Sequence, residues 1–188
     1  MNGLLPELTL YMLAAQAVGV LGLAMNFLSY QQNTNRRIVG FQIFGALFWT
    51  GHFIMLGAVI DGAYTGAVMN IIGLLRNCVF FLRRGDNKPN WASHVAWLYI
   101  FCALYVVTGI LTYDSLVSLL PIAAMIFGTV ALFVMNPKMT RRLALACSVG
   151  WFSYDVLVFS VAGLVSEIFT LSSIIIAMVK FDFRKKGD

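Results

Sequence analysis

Asp155 and His52 are the two side chains with the clearest capacity for chemistry, and both fall inside apolar stretches of the sequence. Asp155 stands 13 residues beyond Arg142, roughly 20 Å along a helix that rises 1.5 Å per residue. His52 stands 15 residues beyond Arg37, at a similar depth. An acid in the middle of an apolar helix costs about 2.5–3.5 kcal/mol on insertion scales unless it is paired or hydrated. Such groups therefore face a bundle interior or a cavity, and Asp155 and His52 are candidates for coupling proton movement to another process. The competing reading of each is a structural hydrogen bond to a neighbouring helix.

Further polar and aromatic groups fall at compatible depths. Trp49 shares a helical face with His52, and Trp151, Tyr154 and Asp155 cluster in one later stretch. Gly66, Asn70, Gly73 and Asn77 follow one stripe, and Ser166, Thr170, Ser173, Ala177 and Lys180 another. Small residues at this spacing permit close helix packing, but Asn70 exceeds what packing requires. Mixed aromatic and hydrogen-bonding walls suit a small polar molecule with an apolar face. The expected substrate-binding residues are Trp49, His52, Asn70, Trp151, Tyr154, Asp155 and Ser173. Asn26, on the stripe Ala15, Gly19, Gly22, Asn26 and Ser29, and Asn77 are expected to line the pathway.

The elements that position these residues follow from composition. Of 188 residues, 60% are hydrophobic and only 11% charged, less than half the charge of an ordinary soluble surface. The solvent must be lipid. Apolar stretches near 8–31, 37–58, 62–83, 91–112, 115–136, 142–162 and 165–183 each approach the 20 or so residues that cross a bilayer. The breaks are short: QQNTNRR, DG, RRGDNKPN, TYD, NPKMTRR and SE. Arg36, Arg37, Arg83, Arg84, Lys88, Lys138, Arg141, Arg142, Arg184, Lys185 and Lys186 all fall on one side, whereas Glu7, Asp61, Asp114 and Glu167 fall on the other. The basic side is cytoplasmic, so the expectation is an all-α membrane protein with seven transmembrane helices, its N-terminus outside and its C-terminus in the cytoplasm. The first stretch lacks a basic leader and reads as a span rather than a cleavable signal. Arg76 and Lys180, near the cytoplasmic side, read as snorkelling cations.

An internal repeat is also visible. QQNTNRR (31–37) aligns with NPKMTRR (136–142) at an offset of 105 residues, bringing Gly45 onto Gly150 and Trp49 onto Tyr154. At an offset of 104, Gly66 meets Thr170, Gly73 meets Ala177 and Arg76 meets Lys180. Three-span units separated by one extra span have the same orientation, which predicts two parallel three-helix bundles joined by a linker helix, a 3+1+3 arrangement. The expected divisions are 1–86, 87–113 and 114–188.

The runs AAQAVGVLGLAMNFLSYQQNTNRR and FWTGHFIMLGAVIDGAYTGAVMNIIGLLRN resemble the YgjV-like family of bacterial inner-membrane proteins. That family is distantly similar to the SWEET, SemiSWEET and PQ-loop (MtN3-like) transporters. The resemblance implies a multi-pass protein of the bacterial cell inner membrane, the 3+1+3 fold and transport. SWEET proteins place an Asn of the third span in their sugar pocket, which the resemblance carries onto Asn70; Ser173 stands where they have a second Asn. The Pro-Gln pair of PQ-loop proteins is absent, with Gln16 and Pro121 at the equivalent positions, and Pro121 is expected to supply a hinge.

Other classes find little support. Cys78, Cys102 and Cys147 lie in separate apolar stretches without CxxC spacing, so neither disulfides nor zinc are expected. The net charge of +5 is scattered over short loops and forms no nucleic-acid patch. No nucleophile accompanies His52 and Asp155, so no catalytic residues, no metal and no cofactor are expected. The expected function is alternating-access transport of a small polar solute through a pocket between the repeats. The alternative is a non-transporting receptor, sorting factor or complex subunit with a sealed polar core. The lipid bilayer and the solute are the expected partners; homo-oligomerisation is left open.

Overall fold

The computed structural model describes residues 4–30, 35–83, 88–113, 115–134, 137–179 and 182. It contains seven α-helices and, among the described residues, no strand: α1 (Leu4–Tyr30), α2 (Asn35–Gly57), α3 (Ala63–Arg83), α4 (Ala96–Leu111), α5 (Leu119–Phe133), α6 (Pro137–Leu157) and α7 (Val161–Met178). Short 3-10 turns at Asn90–Ser93 and Leu116–Ser118 precede α4 and α5. Four segments, Leu10–Ser29, Val39–Gly57, Ala63–Arg83 and Leu116–Phe133, are long and apolar enough to cross a membrane. The apolar helices α4 and α7 are shorter, and α6 carries Arg141, Arg142 and Asp155.

The helices form because long apolar runs satisfy every backbone group internally, the requirement lipid imposes. Large apolar side chains such as Leu10, Phe44, Ile110 and Phe169 point outward, as expected of surfaces that face acyl chains. The inward faces mix aromatic, aliphatic, small and polar side chains. Helix α2 packs between α1 and α3, and α6 packs between α5 and α7; α4 touches α3 and α5, and α1 meets α7. One buried cluster joins Ala15, Trp49, Phe53, Leu56, Tyr154 and Ala162. A second joins Met69, Ile72, Phe101, Tyr105 and Met125.

Two tight turns set the helix ends. Gly62 adopts φ 81° at the start of α3, a conformation that glycine reaches without steric cost. In the α6–α7 turn the non-glycine Phe159 takes φ 52°. Ser160 then caps α7, its Oγ accepting from Gly163 N–H at 3.2 Å. Hydropathy puts this break at Ser166-Glu167. The cap at Ser160 starts α7 earlier and carries Glu167 into the helix, so that acid is not a loop residue. Pro121 lies in the first turn of α5, where a missing N–H is tolerated, and so forms no mid-helix hinge. At the other end of α6 and α7, Arg141 pairs with Asp182. Arg84, Asp114, Arg184, Lys185 and Lys186, which contribute to the expected orientation, lie outside the described residues, as do Lys180 and the side chains of Glu7, Arg36 and Ala177.

Candidate functional site

Side chains from α1, α2, α3, α5, α6 and α7 enclose a cavity of about 340 Å³, within the range that accommodates small ligands. Its levels follow from packing. Gly163 of α7 faces Asp155 of α6, and Gly128 of α5 faces Cys147 of α6 and Arg76 of α3. Cys147 precedes Asp155 by eight residues, so the Arg76 level lies roughly 12 Å along α6 from Asp155. Glu167, one turn past Gly163 on the antiparallel α7, stands beside Ser148, the residue next to Cys147.

Asp155 is 2% exposed and lines the cavity. Ser160 lies beside it, yet its Oδ1 is buried without a hydrogen-bond partner. Gly163 makes room for it: a Cβ there would stand 2.5 Å from the Asp155 carboxyl carbon. Gly163→Ala should therefore displace the carboxyl and cost about 1–3 kcal/mol. The loss should largely vanish when Asp155 is also Ala, giving a non-additive double-mutant cycle in reversible detergent unfolding. Additive losses would contradict this contact. Glu167 also lines the cavity, beside Ser148, with its Oε2 buried and unpartnered. Sequence reasoning missed it because an acid beside Ser166 resembles a loop signal.

Arg76 is 8% exposed and lines the cavity, so it does not snorkel to the membrane interface. Its Nε and Nη2 donate to Asn77 Oδ1 at 3.2 and 3.1 Å, and its Nη1 donates to Thr129 Oγ1 at 2.9 Å. Thr129 returns its proton to the Met125 carbonyl at 2.7 Å, which leaves its oxygen free to accept. The Asn77 amide donates to the Gln42 carbonyl at 3.4 Å. Arg76 thus bridges α3 to α5 without a carboxylate partner among the described residues.

Aromatic side chains of α2 and α6 form one wall of the cavity. Phe53, which no sequence signal singles out, stacks on Trp151 with centroids 5.8 Å apart, and Trp49 lies edge-on to His52 at 5.3 Å. Trp49, Phe53 and Trp151 all line the cavity. So do Asn26, Asn70, Asn77 and the outward-reaching Ser173. Asn70 donates to the Gly66 carbonyl at 2.9 Å.

His52 and Tyr154 stand behind this wall rather than on the cavity. The fully buried His52 ring places Nδ1 at 2.7 Å from the Ala15 carbonyl and Nε2 at 2.8 Å from Ser160 Oγ. A carbonyl can only accept, so Nδ1 carries a hydrogen. The Tyr154 hydroxyl donates to the Gly62 carbonyl at 2.8 Å and accepts from Gly66 N–H at 3.0 Å. Gln16 completes the arrangement, donating to the Phe159 carbonyl at 3.2 Å and accepting from Ala162 N–H at 3.0 Å. The α6–α7 turn is thereby tied to α1 and α2 just beyond Asp155. Ser160 touches both His52 and Asp155, and its single hydroxyl hydrogen can serve only one of them.

The Imp-YgjV family, described as a bacterial inner membrane protein, matches residues 13–185. The chain belongs to this family. The match takes in every lining residue of the cavity, and with the apolar helices it makes this Imp-YgjV member a multi-pass protein of the bacterial inner membrane. No curated protein and no solved structure matches the chain.

Proposed function

We propose that this Imp-YgjV protein transports a small polar solute by alternating access, without enzymatic chemistry, through the cavity between two three-helix units. The observation that carries the proposal is the convergence of Asp155, Glu167 and Arg76 on one cavity lined by helices from both halves. Ionisable groups at membrane depth mark pathways because lipid offers them nothing. The 3+1+3 reading has support in the packing. The sequential contacts of α1, α2 and α3 recur in α5, α6 and α7, with α4 touching only the junction helices α3 and α5 among the larger contacts. Gly45 sits against α1 at Asn26, and its repeat counterpart Gly150 sits against α5 at Ala124.

In this reading the bonds of Gln16 and His52 to the α6–α7 turn close the Asp155 end, which the basic-loop pattern assigns to the outside, and breaking them opens it. Asp155 and His52 are proton-coupling candidates through the Ser160 hydroxyl they share, and Trp49, Asn70, Trp151 and Ser173 are the solute-contact candidates. Purified protein in proteoliposomes should accumulate radiolabelled solute from a mixed panel of amino acids, organic acids and sugars. Uptake should fall at least tenfold in Asn70→Ala protein of unchanged melting temperature. Wild-type vesicles that move no member of the panel would count against transport and favour the receptor or sorting-factor reading.

A further inference from the structure

The charges of the cavity select a class of solute. A pathway for neutral sugars has no use for a buried ion, since each buried charge carries a desolvation penalty of several kcal/mol. Here three ionisable side chains, Asp155, Glu167 and Arg76, line the cavity, and each keeps unused bonding capacity. Asp155 Oδ1 and Glu167 Oε2 accept no hydrogen bond. Arg76 has five N–H groups and spends three of them on Asn77 and Thr129, so two make no bond among the described residues. Asp155 and Arg76 stand roughly 12 Å apart along the cavity, with Glu167 beside Ser148.

Resting on the transport reading, we infer that the solute is an organic ampholyte of amino-acid size: its ammonium docks between Asp155 and Glu167, its carboxylate docks on Arg76, and its apolar body lies against Trp49, Phe53 and Trp151. Several observations converge on this class. An ammonium presents three donors and no acceptor, matching two acids with open lone pairs. Aromatic faces add attraction for a cation and shelter an apolar side chain. A guanidinium with two free N–H groups is matched by a carboxylate, which can accept both in a paired geometry. A cavity of about 340 Å³ holds such a molecule whole.

Binding to detergent-purified wild-type protein tests the class independently of transport. The probes are the twenty amino acids, the decarboxylated and deaminated forms of whichever binds (isopentylamine and 4-methylpentanoate for L-leucine), and D-glucose as the neutral control. At least one amino acid should raise the melting temperature in a saturable way and compete for a common site. It should bind at least tenfold more tightly than its own decarboxylated and deaminated forms. Arg76→Gln should reduce the preference over the amine to less than threefold, and Glu167→Gln should do the same for the preference over the acid. Those selective losses separate docking from general misfolding, which would weaken all probes together. The inference is overturned if no amino acid binds, if amine or acid alone binds equally well, or if glucose binds in their place. Binding of an amino acid without uptake into vesicles would instead sink the transport reading and leave the ligand class standing. Uptake of a neutral sugar alone would do the reverse.

Discussion

Neutralising both cavity acids, in the Asp155→Asn, Glu167→Gln double variant, should make the protein more stable and stop it working. Each acid holds a buried oxygen with no partner; an amide leaves that position unpartnered as well but never ionises, so it escapes the additional penalty of a buried charge. Near-isosteric amides keep the packing against Gly163 and Ser148 while removing the charge. Reversible unfolding should therefore show a gain of about 1–3 kcal/mol, and vesicle uptake should drop at least tenfold. The signs of the two changes carry the information. Acids retained for stability would give a loss in unfolding with little specific effect on uptake. A site retained for function at the expense of stability gives the opposite pair.

The second large effect is mechanical. Ala144 and Ser173 both line the cavity, from α6 and α7, and neither is fully buried. Either can be replaced by Trp without driving the indole into packed side chains. Ala144→Trp and Ser173→Trp should each leave expression, helicity and melting temperature near wild type while reducing uptake at least tenfold. Ile110→Trp, on an outward face of α4 that is 69% exposed, should change nothing. Equal uptake by the two plugged proteins would mean that solute does not pass through this space.

How far the sequence foretold these features depends on the physics behind each. The helical membrane class was legible from missing surface charge alone, because lipid leaves no alternative to satisfied backbone. Asn70, Trp151 and Asp155 were legible because polar or amphipathic groups at depth are conspicuous. Glu167 was not, since its meaning depended on where α7 begins. That was decided by the short Ser160 cap against Gly163, a local bond that hydropathy does not register. Arg76 looked like a snorkelling cation because its depth suited one; only the positions of Asn77 and Thr129 on two helices hold it inside. His52 and Tyr154 were conspicuous for the same reason as Asp155. Their partners, however, are the backbone carbonyls of Ala15 and Gly62, the Gly66 N–H and the Ser160 hydroxyl, pairings that a single sequence does not display. Gln16 acquired its role in the same way, by meeting a turn 143 residues away.

The central claim is that polar groups from both halves share a wet space reached in turn from each side of the membrane. Cysteine labelling in a background lacking Cys78, Cys102 and Cys147 tests it most directly, with single Asn70→Cys, Ser173→Cys and His52→Cys proteins in oriented vesicles. A membrane-impermeant maleimide should reach positions 70 and 173 from the cytoplasmic face in the resting protein. Conditions that favour the opposite state should shift the reaction at position 70 to the outer face, and position 52 should stay unreactive until the α6–α7 turn is released. Positions 70 and 173 unreactive from both faces, in protein that labels fully once unfolded, would show a dry, sealed core and contradict the account.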